Sequence, residues 1–388
     1  MTAPLRVAIV AGEESGDLLG ADLVAALKAA TGRDVELVGV GGRHLASMGL
    51  NSLFDGSDIA LMGVTAVIRD LPRLMRRIGQ TADAVLRCNP DCLVTIDSPD
   101  FSLRVAKKVR AADPTIPIIH YVCPSVWAWR PGRAPAMREY VDRILCVLPF
   151  EPEALDRLHG PRGTYVGHRL ATYPGVAAAA ASQMARTHRP AGQPRKLLVL
   201  PGSRRGEVSR LLEPFGDVVR QLAGRGSSFE VTVPTVPHVA ALLESGTANW
   251  PVRPAIVTDE AAKWRAFAEA DAALAASGTV LLELALARVP TISCYRTDPL
   301  IGPLMRRLLT VWSAALPNLI ADRPIVPEFY DIMLRPSYIV RVLEQLMADT
   351  AMRTAQLDGF RYVAERMATE RPSGVLAAEA VLAEITTR

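Results

Sequence analysis

The sequence predicts an α/β protein of two doubly wound domains that face a cleft, and three observations point there. The first is length: 388 residues exceed the roughly 100 to 200 of one ordinary domain and leave each half enough chain for its own core. The second is a repeated alternation of short apolar runs with segments of helical spacing, the pattern of parallel sheets with crossover helices. The third is a composition break near the middle. Hydrophobic and charged shares of 49% and 22% are those of ordinary globular chains and exclude disordered, collagen-like and disulfide-bound classes.

Strands are expected in the first half at Leu5 to Val10, Glu36 to Val40, Cys92 to Ile96, Ile116 to Val122 and Arg143 to Leu148. In the second half they are expected at Lys196 to Leu200, Phe229 to Val233, Ala255 to Val257, Ala272 to Ala275 and Pro290 to Cys294. The break, Tyr173 to Arg195, holds five consecutive alanines and then Arg186, His188, Arg189, Pro190, Gly192 and Pro194. The alanine tract suits a helix, and the proline and glycine that follow suit a linker. This places one domain at residues 1–175 and the next at 190–344, with a helical tail over 345–388. Each domain reads as a Rossmann-like open sheet, which binds ligands at the carboxyl ends of its strands.

Met1 leads through a short polar stretch into Leu5 to Val10 without the pattern of an export signal. No run reaches the about 18 apolar residues of a spanning helix, so the expectation is a cytoplasmic protein, in solution or on a membrane surface. Five cysteines, an odd number without a C-x-x-C pair, read as buried reduced thiols. A net charge of +4 without zinc-finger spacing or a long basic run gives no support to a nucleic-acid partner.

Glycine turns that join a strand to a helix carry the chemistry. Ala11 to Asp17 places Glu13, Glu14 and Ser15 at the ligand end of the first strand. Its two acids disfavour a pyrophosphate there, and Ser15 or Asp17 could equally cap the next helix. Asp97 ends the apolar run Cys92 to Ile96, where it can act as a general base or organise the turn. The run from His120 to Arg130, with Trp127 and Trp129, reads as an amphipathic wall, and His120 as a core residue. In the second half Gly202, Ser203, Arg204 and Arg205 follow a strand, and two guanidinium groups give this turn the sign for a diphosphate. Ser277, Gly278 and Thr279 open a further helix, with Glu283 placed to accept from ribose hydroxyls. The chain has no Asp-x-Asp pair, no Gly-x-Ser-x-Gly and no zinc-like histidine pair, so metal-clamp, hydrolase and metalloenzyme readings recede and no cofactor or metal is called for.

These motifs together resemble the lipid-A-disaccharide synthase family. The carriers are Ala11 to Asp17, Leu61 to Val64, Ile96 to Phe101, His120 to Arg130, Leu148 to Glu151, Val166 to His168, Leu200 to Arg204, Ala276 to Thr279 and Leu316 to Leu319. The Pro-Ser-Val-Trp-Ala-Trp run, residues 124–129, is the most specific of them. Cys123 stands where the family commonly has serine, and Arg169 where proline is frequent. The resemblance implies the two-domain architecture termed GT-B, with the acceptor on the first domain, a UDP-sugar on the second, and the helices of 345–388 crossing back. It implies a metal-independent, inverting transfer that joins UDP-2,3-diacylglucosamine to 2,3-diacylglucosamine 1-phosphate in lipopolysaccharide biosynthesis. Carried over, Asp97 is the base on the acceptor 6-hydroxyl, Arg204 binds the diphosphate, Glu283 takes the ribose and Asn318 lines the cleft. A homodimer with exchanged C-terminal parts, and attachment to the cytoplasmic face of the inner membrane, are further implications. A UDP-sugar epimerase of the same architecture and a non-catalytic lipid- or nucleotide-binding relative are the alternatives. The membrane contact is expected at Leu61, Met62, Val64, Val67, Ile68, Leu71, Leu74 and Met75 with Arg69, Arg73, Arg76 and Arg77, apolar groups beside cations. Leu300 to Leu309 with Arg306 and Arg307 reads as a second patch or as core.

Overall fold

The computed structural model describes residues 3–56, 71–186, 192–298 and 307–387. The chain forms two compact units, Met1–Arg169 with Thr369–Arg388, and Leu170–Ala368.

The first unit holds a parallel sheet of β1 (Leu5–Ala11), β2 (Val35–Val40), β3 (Cys92–Ile96), β4 (Ile118–Tyr121), β5 (Arg143–Cys146) and β6 (Arg162–Tyr165), in the order β2-β1-β3-β4-β5-β6. Its helices are α1 (Glu14–Thr31), α2 (Arg43–Ser47), α3 (Leu71–Cys88), α4 (Pro99–Ala112), α5 (Arg133–Met137) and α6 (Glu151–Arg157). All five residues of β3 are buried, as expected for a parallel strand covered on both faces.

The second unit repeats the plan with β7 (Arg195–Leu200), β8 (Phe229–Pro234), β9 (Ala255–Val257), β10 (Ala272–Ala276), β11 (Thr291–Tyr295) and β12 (Glu328–Tyr330), in the order β12-β11-β10-β7-β8-β9. Its helices are α7 (Pro174–Ala185), α8 (Arg205–Gly224), α9 (Pro237–Thr247), α10 (Glu260–Glu269), α11 (Val280–Leu286), α12 (Leu316–Ala321), α13 (Pro336–Met347) and α14 (Ala351–Met367). The ten strands expected from apolar runs are present. The two that were not expected, β6 and β12, are edge strands of four and three residues, RGTY and EFY, with no fully buried residue. Edge strands this short bury little and hold no run of aliphatic residues, so no apolar run announces them.

Two boundaries differ from the sequence reading. The alanine-rich stretch belongs to the second unit: α7 packs on α10, where Gln183 Nε2 donates to the carbonyls of Phe267 and Ala270 at 2.7 and 2.9 Å. The junction therefore lies at residues 169–170 rather than at 175–190. Of the tail expected to cross back, α14 stays with the second unit against α11, α12 and α13, its Gln356 bonded to both the N–H and the C=O of Thr291 at 2.8 Å.

Only α15 (Ser373–Thr386) joins the first unit, lying on α1. A Cβ at Gly374 would come within 3.0 Å of the Asp22 carbonyl oxygen, so glycine permits the close approach of the two helices. Glu384 on α15 pairs with Arg143 of β5 at 2.5 Å, with side-chain exposures of 15% and 9%, and Arg143 also donates to Thr164 Oγ1 at 2.6 Å. Breaking such a pair strands a buried guanidinium, at a cost of about 3 kcal/mol. Glu384→Ala is expected to lower unfolding stability by that order, read from denaturant midpoints. The double variant Arg143→Met/Glu384→Leu is expected to lose less than the single, and an equal or larger loss would count against the pairing. Among the described residues no helix is long and apolar enough to cross a membrane.

Candidate active site

Strand order locates the ligand edges. In the first sheet β1 is flanked by β2 and β3, and in the second β7 is flanked by β8 and β10. At such reversal points the loops that leave neighbouring strands diverge and open a crevice at their carboxyl ends. The register brings Ala11 opposite Ile96, so Gly12 and Glu13 leave the sheet beside Asp97. Leu200 lies opposite Ala275, so the turn of Gly202 to Arg204 leaves beside Ser277.

On the first unit Asp17 is only 3% exposed. Its carboxylate accepts the N–H groups of Gly42 at 2.6 Å, His44 at 2.7 Å and Leu45 at 3.2 Å. Asp17 thus holds the start of α2 and ties the loops after β1 and β2, rather than capping its own helix. Ser15 is exposed in the first turn of α1, and Glu13 is the exposed N-cap residue of that helix. Glu14 is engaged by Arg43. Asp97 has φ 50° and Ser98 φ 44°, left-handed conformations that cluster at functional sites because surrounding structure must hold them. The N–H of Ser98 donates to Asp97 Oδ1 at 2.8 Å, and Ser102 Oγ donates to the Asp97 carbonyl at 2.5 Å. Among the described residues Oδ2 takes no hydrogen bond, which leaves it able to accept a proton.

His120 is fully buried, bonded through Nδ1 to Thr95 Oγ1 at 2.8 Å. Burial, then the Arg133 charge, pushes its pKa down to about 3, so it is a neutral core residue. All five cysteines are unpaired thiols, four of them buried.

On the second unit the loops after β7, β8 and β10 surround a cavity of about 390 Å³. Gly202, Ser203 and Arg204 line it with Ser277, Gly278, Thr279 and Glu283. These seven residues, named from two separate motifs, line one cavity. Gly202 is required twice: its φ is 114°, and a Cβ there would collide with Glu207 Oε2. Arg204 is the exposed N-cap of the 20-residue α8. Glu207, at the third helical position, turns its carboxylate back toward the backbone N–H groups of Ser203 and Arg204, the arrangement of a capping box. Burial raises its pKa, against these bonds and the arginine charges that lower it. The turn presents the guanidinium groups of Arg204 and Arg205 and, at the start of α8, the amides of Arg205 and Gly206, which have no intrahelical acceptor.

Lys263 and Thr235 also line the cavity, and sequence reading missed both, as it missed Glu207. Lys263 Nζ pairs with Glu283 at 2.7 Å and lies 4.6 Å from the Trp264 ring centroid. Glu207 stood inside the Gly-Ser-Arg-Arg-Gly-Glu run, where a capping acid three residues after Arg204 was a readable signal. Lys263 sits in a helix that carried no glycine turn, so nothing local marked it.

The residues expected to form a membrane contact are described only in part. Residues 61–70 and 300–306 lie outside the described residues. Leu74 belongs to the core and is not available to a membrane, whereas Met75, Leu308 and Leu309 are exposed.

Comparison with known proteins identifies the family. Residues 7–381 match the family described as Lipid-A-disaccharide synthetase. The lipid-A-disaccharide synthase of Rhodopseudomonas palustris strain HaA2 is 47% identical over 371 residues, covering 95% of this chain and 94% of that protein. That of Bradyrhizobium diazoefficiens is 44% identical over 379 residues, covering 97% and 96%. The chain belongs to the lipid-A-disaccharide synthase family. Among solved structures, the fold is similar to Acinetobacter baumannii MurG, with TM-score 0.59 at 14% identity over 99% of this chain and 100% of that one. It is also similar to the calicheamicin glycosyltransferase CalG4, with TM-score 0.58 at 16% identity over 99% of each. The two-sheet architecture is that of GT-B glycosyltransferases.

One residue expected from the family resemblance is corrected. In this member of the lipid-A-disaccharide synthase family Asn318 is 1% exposed. Its Oδ1 accepts the N–H groups of Ile325 and Val326 at 2.8 and 2.7 Å, and its Nδ2 donates to the Val326 carbonyl at 3.0 Å. Asn318 holds the chain that enters β12 and does not line the cavity; its amide is spent on backbone groups that burial would otherwise leave unpaired and on Glu328 Oε2, to which Nδ2 also donates at 3.3 Å.

Proposed function

We propose that this chain condenses UDP-2,3-diacylglucosamine with 2,3-diacylglucosamine 1-phosphate to give lipid A disaccharide 1-phosphate and UDP. The observation that carries the reading is the match of residues 7–381 to the family. The cavity of the second unit supports it, because cations and hydroxyls meet there at a strand reversal.

Asp97 accepts the proton of the acceptor 6-hydroxyl as its oxygen attacks the anomeric carbon of the donor sugar. The new C–O bond forms on the face opposite the departing diphosphate, so the centre inverts, and the electron pair of the broken bond leaves with UDP. Arg204 meets the charge that grows on the diphosphate, with Ser203, Ser277 and Thr279 as hydroxyl donors. Glu283, held by Lys263, accepts from the ribose. Glu13 stands beside Asp97 as a second carboxylate toward the acceptor. Both substrates carry acyl chains, so the reading includes attachment to the cytoplasmic face of the inner membrane; the homodimer that the family resemblance implies belongs to the same reading.

The test is UDP release with and without the acylated acceptor, run on chain free in buffer and on chain co-sedimented with anionic vesicles. The expected result is UDP release that requires acceptor, with one disaccharide per UDP, and retention on the vesicles. Consumption of the sugar nucleotide without acceptor, or its return as an epimer, would sink the transferase reading. Full recovery of the chain in the supernatant would sink the membrane part.

A further inference from the structure

Glu151 opens α6 at the carboxyl edge of the first sheet and is 2% exposed. Its Oε2 accepts the N–H groups of Val147 and Leu148, each at 3.0 Å, from the loop after β5. Its Oε1 accepts the indole Nε1–H of Trp127 at 3.2 Å, from the loop after β4. The Trp127 ring in turn meets Phe150 edge to face, with centroids 5.0 Å apart. Three donors from two loops converge on one buried carboxylate.

The loop after β4 begins directly beside Asp97. The N–H of Asp97 donates to the Tyr121 carbonyl at 2.9 Å, and the next residue, Val122, has φ 73°. A β-branched residue in that conformation is strained and persists only where its surroundings hold it. A cap for α6 alone would not need the bond from Oε1 to the indole, because that bond reaches a different loop. Burying a carboxylate is also unfavourable unless it is fully hydrogen-bonded, and the bonds at Glu151 are the ones that tie these loops together.

We propose that Glu151 is a positioning residue for the acceptor sugar, fixing through Trp127 the wall of residues 123–130 beside Asp97. The proposal rests on the first unit being the acceptor side, as read under the proposed function.

The ionisation of Glu151 adds a signature. Burial, against the bonds from Leu148, Trp127 and Val147, pushes its pKa up to about 7. The groups that face it are the thiols of Cys123 and Cys146, whose sulfurs lie within 4.8 Å of its carboxylate, and the phenol of Tyr165. The hydrogen bond to Cys146, then burial, raises the Cys123 thiol, and burial with the Glu151 charge pushes Tyr165 up to about 12. Glu151 therefore changes charge near neutrality while Cys123 and Tyr165 stay neutral. A carboxylate holds an N–H more strongly than the neutral acid does. As pH falls through about 7 the Trp127 bond weakens and the acceptor KM rises.

The experiment compares the full-length chain with Glu151→Gln, Trp127→Phe and the double variant, measuring KM for each substrate and indole fluorescence across neutral pH. In Glu151→Gln the amide oxygen stays with the N–H groups of Val147 and Leu148, so the new NH2 faces the indole N–H, donor against donor. Each single change is expected to raise the acceptor KM about tenfold and leave the sugar-nucleotide KM unaltered. The double variant is expected to be no worse than either single, since both remove one contact. The neutral-pH titration of acceptor KM and of fluorescence is expected in the parent chain alone. An unchanged acceptor KM in either single, an equal rise in both KM values, or losses that multiply in the double variant would each overturn the proposal. If Glu151→Gln fails to fold by circular dichroism, Trp127→Phe decides by the same criteria. A parent chain that releases no UDP with acceptor would instead sink the functional reading; absence of the fluorescence titration in that chain would still overturn the contact.

Discussion

Replacing Asp97 by asparagine is expected to lower turnover by about 10²- to 10⁴-fold while leaving the fold and the affinity for UDP intact. Asparagine tolerates the left-handed backbone that Asp97 adopts at φ 50°. Its side-chain oxygen can keep the bond from the Ser98 N–H that Asp97 Oδ1 accepts. The substitution therefore removes the proton acceptor and little else. With a carboxylate as base, the rate falls as pH drops and the carboxylate is protonated, and this acidic limb should vanish in the asparagine variant. A pH–rate profile of the residual activity decides the matter. Survival of the limb unchanged would move the base to Glu13 or Glu14, which leave the sheet one strand away at the end of β1.

Arg204→Ala is expected to lower turnover by about 10²- to 10³-fold, the usual loss when one donor to a developing anion is removed. Arg204 is exposed and its side chain makes no capping bond at the start of α8, so alanine there should not unfold the second unit. Lysine should restore only part of the rate, because a point charge lacks the planar fork that meets two phosphate oxygens. Steady-state kinetics on both variants, with circular dichroism as the check on folding, measures this. Equal activity in Arg204→Ala and the parent chain would remove this arginine from the mechanism and shift attention to Arg205 and Lys263.

Much of the site is written locally. A strand that ends in a glycine turn and a helix is encoded within about a dozen residues, because burial periodicity and backbone freedom are properties of neighbours along the chain. That is why Gly202 to Arg204, Ser277 to Thr279 and Asp97 could be placed from sequence, and why the ten strands with apolar runs were legible. Residues read in isolation were less secure. Asp17 was read as a possible cap of its own helix; that it holds the start of α2 instead, beyond the whole of α1 and β2, depends on how α1 and the loop after β2 meet.

The sequence alone thus determined two parallel α/β units, the glycine loops at the carboxyl ends of their strands, and the cationic character of the turn at Arg204. Tertiary structure decided the rest. It set the unit boundary at residues 169–170, the return of α15 through the Arg143 to Glu384 pair, and the edge strands β6 and β12. It assigned Asn318 to backbone bonds, brought Lys263 to Glu283, and set Glu151 between two loops. The physical reason is common to all of these. Each is a pairing between groups on different elements, satisfied only once packing removes water from both, and no local pattern of hydrophobicity or turn residues records which partner packing will supply.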